Sequence, residues 1–195
     1  MTTHTVITQE LTPAEIASVR RYLLETRDAA ISATERLSEA QWNYRPPSGA
    51  WSTAGTVEHM ILVQERILGP FAEALANSDE TASEAWETID AIVWREFPDR
   101  SRKFSAPEAL HPTGRWNRAE VLDRLSANTS RLIERLELAP GLRRHRIPSP
   151  PLTAMTNGEH KLMDGFQWIL AAATHTERHT RQILELQAEP GFPAN

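Results

Sequence analysis

The 195-residue sequence contains no cysteine. This absence excludes disulfide bonds, a cysteine nucleophile, and zinc or iron–sulfur sites built from thiolates. Any metal ion that this chain binds would therefore take its protein ligands from histidine, aspartate or glutamate side chains.

Long apolar runs and an excess of basic residues are also missing. No run approaches the ~18 apolar residues of a membrane-spanning helix. The first ten residues are polar and lack the apolar centre of a signal peptide. We therefore expect a cytoplasmic protein with no membrane partner. The chain has 21 Lys+Arg against 26 Asp+Glu, a formal net charge of -5. An acidic chain lacks the charge that a phosphate backbone attracts, so we expect no nucleic-acid partner.

The composition is typical of one folded domain, which we place at residues 1–195. Hydrophobic residues make up 40% of the chain and charged residues 24%. Apolar residues recur with a helical period in several segments. This pattern predicts long helices at about 13–37, 53–76, 118–138 and 165–187, and a short helix near 85–97. Three of the long helices begin with the pattern of a capping box, which pairs Thr12 with Glu15, Asn117 with Glu120, and Asp164 with Gln167.

No segment has a convincing strand pattern. Four long helices without strands predict an all-α four-helix bundle. Proline-rich segments predict a loop at 42–52 and long crossover loops at about 98–114 and 140–158. The run from Arg143 to Arg146 is basic, and a solvated loop is a simpler interpretation of it than an anion site.

Chemistry-bearing residues concentrate in the last predicted helix. His175 and His179 are four positions apart, which places both imidazoles on one helical face. That face is mostly apolar, so the pair should point into the bundle, where a metal ion could satisfy both rings. Two alternatives remain at this stage: the histidines could lie on the surface, or they could form a hydrogen-bonded pair in the core.

A third candidate ligand, His59, lies in the apolar second helix. Bundle cores build metal sites from facing helices, although a lone histidine in an apolar helix can also be a satisfied core residue. Gln182, one turn beyond His179, could either orient a ligand or be a polar residue at the bundle end. The segment is not a metalloprotease motif, because Thr176 stands where that motif requires glutamate and Glu177 lies off the histidine face.

Several motifs together resemble the DinB-like superfamily of YfiT-type four-helix bundles. The resemblance covers residues of about 13–187. It is carried by Trp51-Ser52-Thr53 after the loop Pro46 to Gly49, then Glu58-His59-Met60, by Lys103 to Glu108 and Pro112 to Gly114, and by Gln167-Trp168-Ile169 through His175, Arg178-His179 and Gln182-Ile183.

The resemblance implies one divalent metal ion (nickel, zinc or iron) bound by His59, His175 and His179, and it implies a homodimer. Family activities include transfer of low-molecular-weight thiols, thiol-linked isomerisation and proposed hydrolysis. We therefore expect a metal-dependent enzyme with a small-molecule substrate, a thiol S-transferase of the stress or detoxification type. A metal-dependent hydrolase and a non-catalytic, metal-stabilised binding protein are the alternatives.

Overall fold

The computed structural model describes residues 10–80 and 85–194, so both ends of the expected domain and most of the polar N-terminal stretch lie outside it. In chain order the elements are α1 (Pro13–Ser32), α2 (Glu39–Asn43), α3 (Thr53–Arg66), a π-helical turn (Ile67–Phe71), α4 (Ala72–Ala76), α5 (Trp86–Glu96), a 3-10 turn (Glu108–Leu110), α6 (Arg118–Leu138), β1 (Arg146–Pro148), α7 (Pro150–Met155), β2 (Leu162–Asp164) and α8 (Gly165–Gln187). The fold is mainly helical, which confirms the all-α prediction. None of the described helices combines the length and apolarity of a membrane span.

The long helices pack as a bundle in which α1 and α3 each contact both α6 and α8. Helix α5 packs on α8 from outside this group. As a result, every residue from 163 to 174 is buried, because neighbours cover the first turns of α8 on all sides. Burying a Leu or Ile side chain contributes roughly 1.5–3 kcal/mol, so α8 is held firmly and provides a rigid support for the side chains it carries.

The helices begin where the sequence predicts, because side chains cap their first turns. The three predicted capping boxes are present at the starts of α1, α6 and α8. A fourth, which pairs Ser38 with Gln41, begins α2. Helices α6 and α8 match the predicted bounds. Each box satisfies backbone N–H groups that would otherwise lack partners at a helix start.

Two predicted helices differ from the structure. Helix α1 ends at Ser32 instead of near residue 37, and Arg118 donates to the backbone carbonyl oxygens of Thr34 and Leu37 beyond it. The predicted helix at 53–76 is interrupted by the π-helical turn. Pro70 lies in this turn and has no N–H to continue the α-helical ladder.

Short elements occupy segments that the sequence analysis assigned to loops. Helix α2 buries Trp42, and α7 lies within the predicted crossover at 140–158. The expectation of no strands is also wrong, since β1 and β2 pair in an antiparallel ladder with Ile147 opposite Met163. Strands of three residues are too short to show an alternating pattern. Their pairing holds the crossover against the start of α8.

The interpretation of Arg143 to Arg146 as a solvated loop is wrong for Arg143. Its guanidinium group is buried and pairs with three carboxylates: Glu15 at 3.0 Å, Asp90 at 2.6 Å and Asp164 at 3.1 Å. We call these four residues the Arg143 cluster. The cluster connects α1, α5 and the N-cap of α8, so it stabilises the end of the bundle where α8 begins.

Candidate metal centre

Helices α3 and α8 bring together the three histidines that the sequence analysis singled out. His59 lies in the second turn of α3, and His175 and His179 lie one turn apart in α8. The ring centroids are 4.3 Å apart for His175 and His179, 5.0 Å for His59 and His175, and 4.9 Å for His59 and His179. One ring nitrogen of each histidine lies within 4.8 Å of the others. Three imidazoles from two facing helices thus converge on one point in the bundle.

Hydrogen bonds orient two of these rings. The Nδ1–H group of His59 donates to the carbonyl oxygen of Leu110 at 2.8 Å, and that of His179 donates to Oε1 of Gln182 at 2.8 Å. The Gln182 amide presents its oxygen here, because an Arg100 nitrogen, which can only donate, lies 3.3 Å from the same atom. The unprotonated Nε2 atoms of both rings are therefore free to bind a cation. Gln182 holds the His179 ring in this orientation, and its role in supporting a metal ligand stays a prediction.

The surroundings keep the three imidazoles neutral. Burial, together with the neighbouring His59, lowers the pKa of His179 to about 3. Burial and the other two histidines hold the pKa of His175 well below its ordinary value. Burial also lowers the pKa of His59, although the hydrogen bond to Leu110 opposes this effect. Neutral imidazole is the form that binds metal ions.

The contact between the two α8 histidines provides a test of whether a cation fits. Nε2 of His179 lies 3.1 Å from Nε2 of His175. Since His179 carries its proton on Nδ1, its Nε2 must accept either a proton from His175 or a bond to a cation. A shared proton would serve only these two rings, whereas one divalent ion would satisfy His59 as well. The donor set therefore fits a divalent ion, and imidazole suits zinc, nickel and iron alike.

Only three protein donors converge in the part of the chain that the structure describes, with no fourth His, Asp or Glu in the group. Glu177 is directed elsewhere, since it accepts hydrogen bonds from the Tyr22 hydroxyl and from Arg181. His160 lies in the segment before β2. His175 remains partly exposed, whereas His59 and His179 are buried. A three-donor site of this kind leaves coordination positions for a reactant.

Glu58 holds a loop against α3 beside His59. Its buried carboxylate accepts hydrogen bonds from the backbone N–H groups of Thr113 at 3.0 Å and Gly114 at 2.7 Å. Burial alone would raise the pKa of Glu58, but these hydrogen bonds lower it. The same loop carries Leu110, whose carbonyl oxygen orients His59. Glu58 therefore positions this histidine indirectly.

The roles of Glu58, Leu110 and Trp51 at this site were not predicted from the sequence. Glu58 carried a signal, because a carboxylate in an otherwise apolar helix needs a partner when it is buried. The Trp51 ring lies 4.8 Å from the His59 ring and covers one side of it. Leu110 acts through its backbone carbonyl, which no pattern of side chains reveals.

The role of Glu58 leads to a first prediction. We expect Glu58→Ala to weaken metal binding by roughly 10-fold or more, the range seen when a ligand loses its supporting hydrogen bonds. Competition with a chromophoric chelator measures the affinity. Glu65→Ala is the matched control, because Glu65 lies on the same helix and forms a partly exposed ion pair with Arg124. Equal affinities in the two variants would contradict the prediction.

The lowered histidine pKa values lead to a second prediction, for metal-free protein. An unfolded histidine titrates near 6.5, whereas the pKa of His179 in the folded state is about 3. Between these values the unfolded state binds more protons, so the free energy of unfolding should decrease as the pH falls, by up to about 1.4 kcal/mol per pH unit for each such imidazole. Between about pH 7 and pH 5, the free energy of unfolding should decrease more steeply for the wild type than for His179→Gln. Denaturant unfolding at several pH values measures this slope. Identical slopes would disprove this.

Fold and site together define a class of protein: an all-α bundle with a buried three-histidine group that could hold a metal ion. The sequence model of the DinB superfamily matches residues 22–183, a range that includes all three histidines. The chain therefore belongs to the DinB superfamily, which confirms the resemblance seen in the motifs. No curated protein and no solved structure matches the chain.

Proposed function

We propose that this chain is a metal-dependent enzyme that transfers a low-molecular-weight thiol to an electrophilic substrate. The observation that supports the proposal is the group of three neutral donors, His59, His175 and His179, which no fourth protein donor completes within the described residues. Structural sites are closed by four protein ligands, whereas three-ligand sites keep a position for a reactant. The partial exposure of His175 gives a small molecule access to that position.

The chemistry follows from the donor set. His59, His175 and His179 would hold a divalent ion through neutral imidazoles, and the full charge of that ion would favour the thiolate form of a thiol. The chain has no cysteine, so the thiol is a separate molecule such as bacillithiol, mycothiol or glutathione. Its sulfur forms a bond to an electrophilic carbon while the bond to the leaving group breaks with its electron pair. The thiol proton passes to solvent.

The residues of the chain provide orientation in this proposal. The carbonyl oxygen of Leu110 and the amide of Gln182 hold the His59 and His179 rings with Nε2 directed inward. Trp51 shields one side of His59. Gln182 lies on α8, Trp51 lies just before α3, and Leu110 lies in the loop that Glu58 holds. Because these supports are fixed, the donors are arranged before any ligand binds, which lowers the entropic cost of binding.

The test combines metal analysis with an assay of thiol conjugation. We expect native protein to contain about one zinc, nickel or iron ion per chain, as the single three-donor group implies. It should conjugate one of the three thiols to 1-chloro-2,4-dinitrobenzene. Chelation should abolish the reaction, and restoring the metal should recover it. Metal-dependent ester hydrolysis without any thiol would favour a hydrolase. Full metal content with neither activity would favour a non-catalytic, metal-stabilised binding protein.

A further inference from the structure

Arg178 lies beside the three-histidine group and makes no hydrogen bond to a carboxylate of the described residues. Arg178 is three positions after His175 in α8, a spacing that makes the two side chains neighbours on the helix surface. Its Nη2 atom donates to the backbone carbonyl oxygen of Arg102 at 2.5 Å. Its Nη1 atom is buried and has no hydrogen-bond partner among the residues that the structure describes.

This arrangement differs from that of the neighbouring arginines. Arg100 donates to both carboxylate oxygens of Glu185, at 2.8 and 2.7 Å, and Arg181 pairs with Glu177. Burial and the nearby Arg100 lower the pKa of Arg178, although the carboxylates of Asp99 and Glu185 oppose this shift. A buried donor without an acceptor is costly, so an acceptor atom of a bound ligand would stabilise this group.

A short aromatic and basic segment lies over Arg178. The Phe104 ring centroid is 5.7 Å from the guanidinium carbon of Arg178 and 5.5 Å from that of Arg102. Arg102 donates to two backbone carbonyl oxygens, so its charge also has no carboxylate partner within the described range. Phe104 is 42% exposed. This edge of the site therefore has excess positive charge and an accessible apolar ring.

We propose that Arg178 binds the carboxylate of the small-molecule thiol whose sulfur reaches the three-histidine group. The planar guanidinium matches a carboxylate in its geometry and charge, and Phe104 covers the carbon chain between the two functional groups. The inference rests on the proposed thiol-dependent function and narrows its substrate class to thiols that carry a carboxylate, as glutathione and bacillithiol do and mycothiol does not.

The test uses zinc-loaded protein and two thiols of similar size. 3-Mercaptopropionate has a carboxylate, whereas 2-mercaptoethanol has a hydroxyl group instead. In calorimetric titrations we expect wild-type protein to bind 3-mercaptopropionate roughly 10–100-fold more tightly, the effect of one hydrogen bond to a charged group. Arg178→Gln should lose this preference and keep its affinity for 2-mercaptoethanol. Arg178→Lys should retain part of it. Arg131→Gln, which removes an exposed arginine on α6, is the matched control.

The outcomes separate this inference from the proposed function. Wild-type preference in Arg178→Gln, or no preference in the wild type, overturns the inference. If neither thiol binds the wild type, the proposed thiol-dependent function is wrong, and titration with propionate then tests the carboxylate site by itself. Propionate binding that is lost in Arg178→Gln supports a carboxylate site, and binding that is unchanged or absent overturns it. Zinc content is measured for every variant. If Arg178→Gln does not retain zinc, the thiol preference of Arg178→Lys is compared with that of the wild type instead.

Discussion

Replacing His175 by alanine is expected to lower metal affinity by more than ~100-fold, and His59→Ala and His179→Ala should have effects of the same order. Loss of only the hydrogen-bond partner of a ligand costs ~10–100-fold, so loss of the ligand itself should cost more. The helices should remain largely formed, because the bundle core does not depend on these rings. Elemental analysis after dialysis, together with the rate of thiol conjugation, measures the effect, and turnover should fall in step with metal content.

Two other variants serve as controls for this experiment. Glu177→Ala and His160→Ala should retain the metal, because Glu177 is directed toward Tyr22 and Arg181 and His160 lies before β2. His59→Ala with full metal content and full activity would remove His59 from the site. Loss of activity with the metal retained would give the altered residue a catalytic role, and the three-ligand arrangement would then be wrong for that residue.

Replacing Arg143 by methionine is expected to destabilise the protein by ~3–5 kcal/mol, the cost of removing one partner from a buried ion pair. The guanidinium carbon of Arg143 lies 4.5 Å from the Trp86 ring centroid and 4.1 Å from that of Phe166. The buried carboxylate of Asp164 and the half-buried carboxylate of Asp90 would lose their cation. Denaturant unfolding at about pH 7, where carboxyl groups with ordinary pKa values are ionised, measures the free energy of unfolding.

The pH dependence of this loss provides a further check. Burial raises the pKa of Asp164 to about 6, although Arg143 opposes that shift. Without Arg143 the pKa of Asp164 should rise further, so acidification neutralises a carboxylate that has lost its partner. The destabilisation should therefore be smaller at about pH 5 than at pH 7.

Arg144→Met is the matched control, since Arg144 is adjacent in sequence and its ion pair with Glu10 is exposed. Exposed pairs contribute only ~0–1 kcal/mol. If the Arg143 and Arg144 variants lost equal stability, the Arg143 cluster would not have the structural role that we assign to it.

The helices that could be predicted from the sequence are those whose signals are local. Capping boxes and apolar periodicity act within a few residues of one another, and the predicted bounds of α6 and α8 match the structure. Errors arose where distant groups intervene. Helix α1 stops before the segment whose carbonyl oxygens bind Arg118, and β1 and β2 depend on pairing across a crossover. Segments of three to six residues contain too few positions for a period to be recognised.

The sequence by itself determined that this is an all-α member of the DinB superfamily, and it identified His59, His175 and His179 as candidate ligands, because helical spacing and motif residues are properties of the chain. Only the tertiary structure decided which groups surround those ligands. The Leu110 carbonyl oxygen beside His59, the loop held by Glu58, and the burial of Arg178 Nη1 without an acceptor among the described residues all follow from contacts between residues far apart in sequence. The sequence pattern predicts that Arg143 is solvated. It is buried in the structure because three carboxylates from separate segments converge on it. Burial and charge pairing are properties of the folded arrangement, and no local pattern contains them.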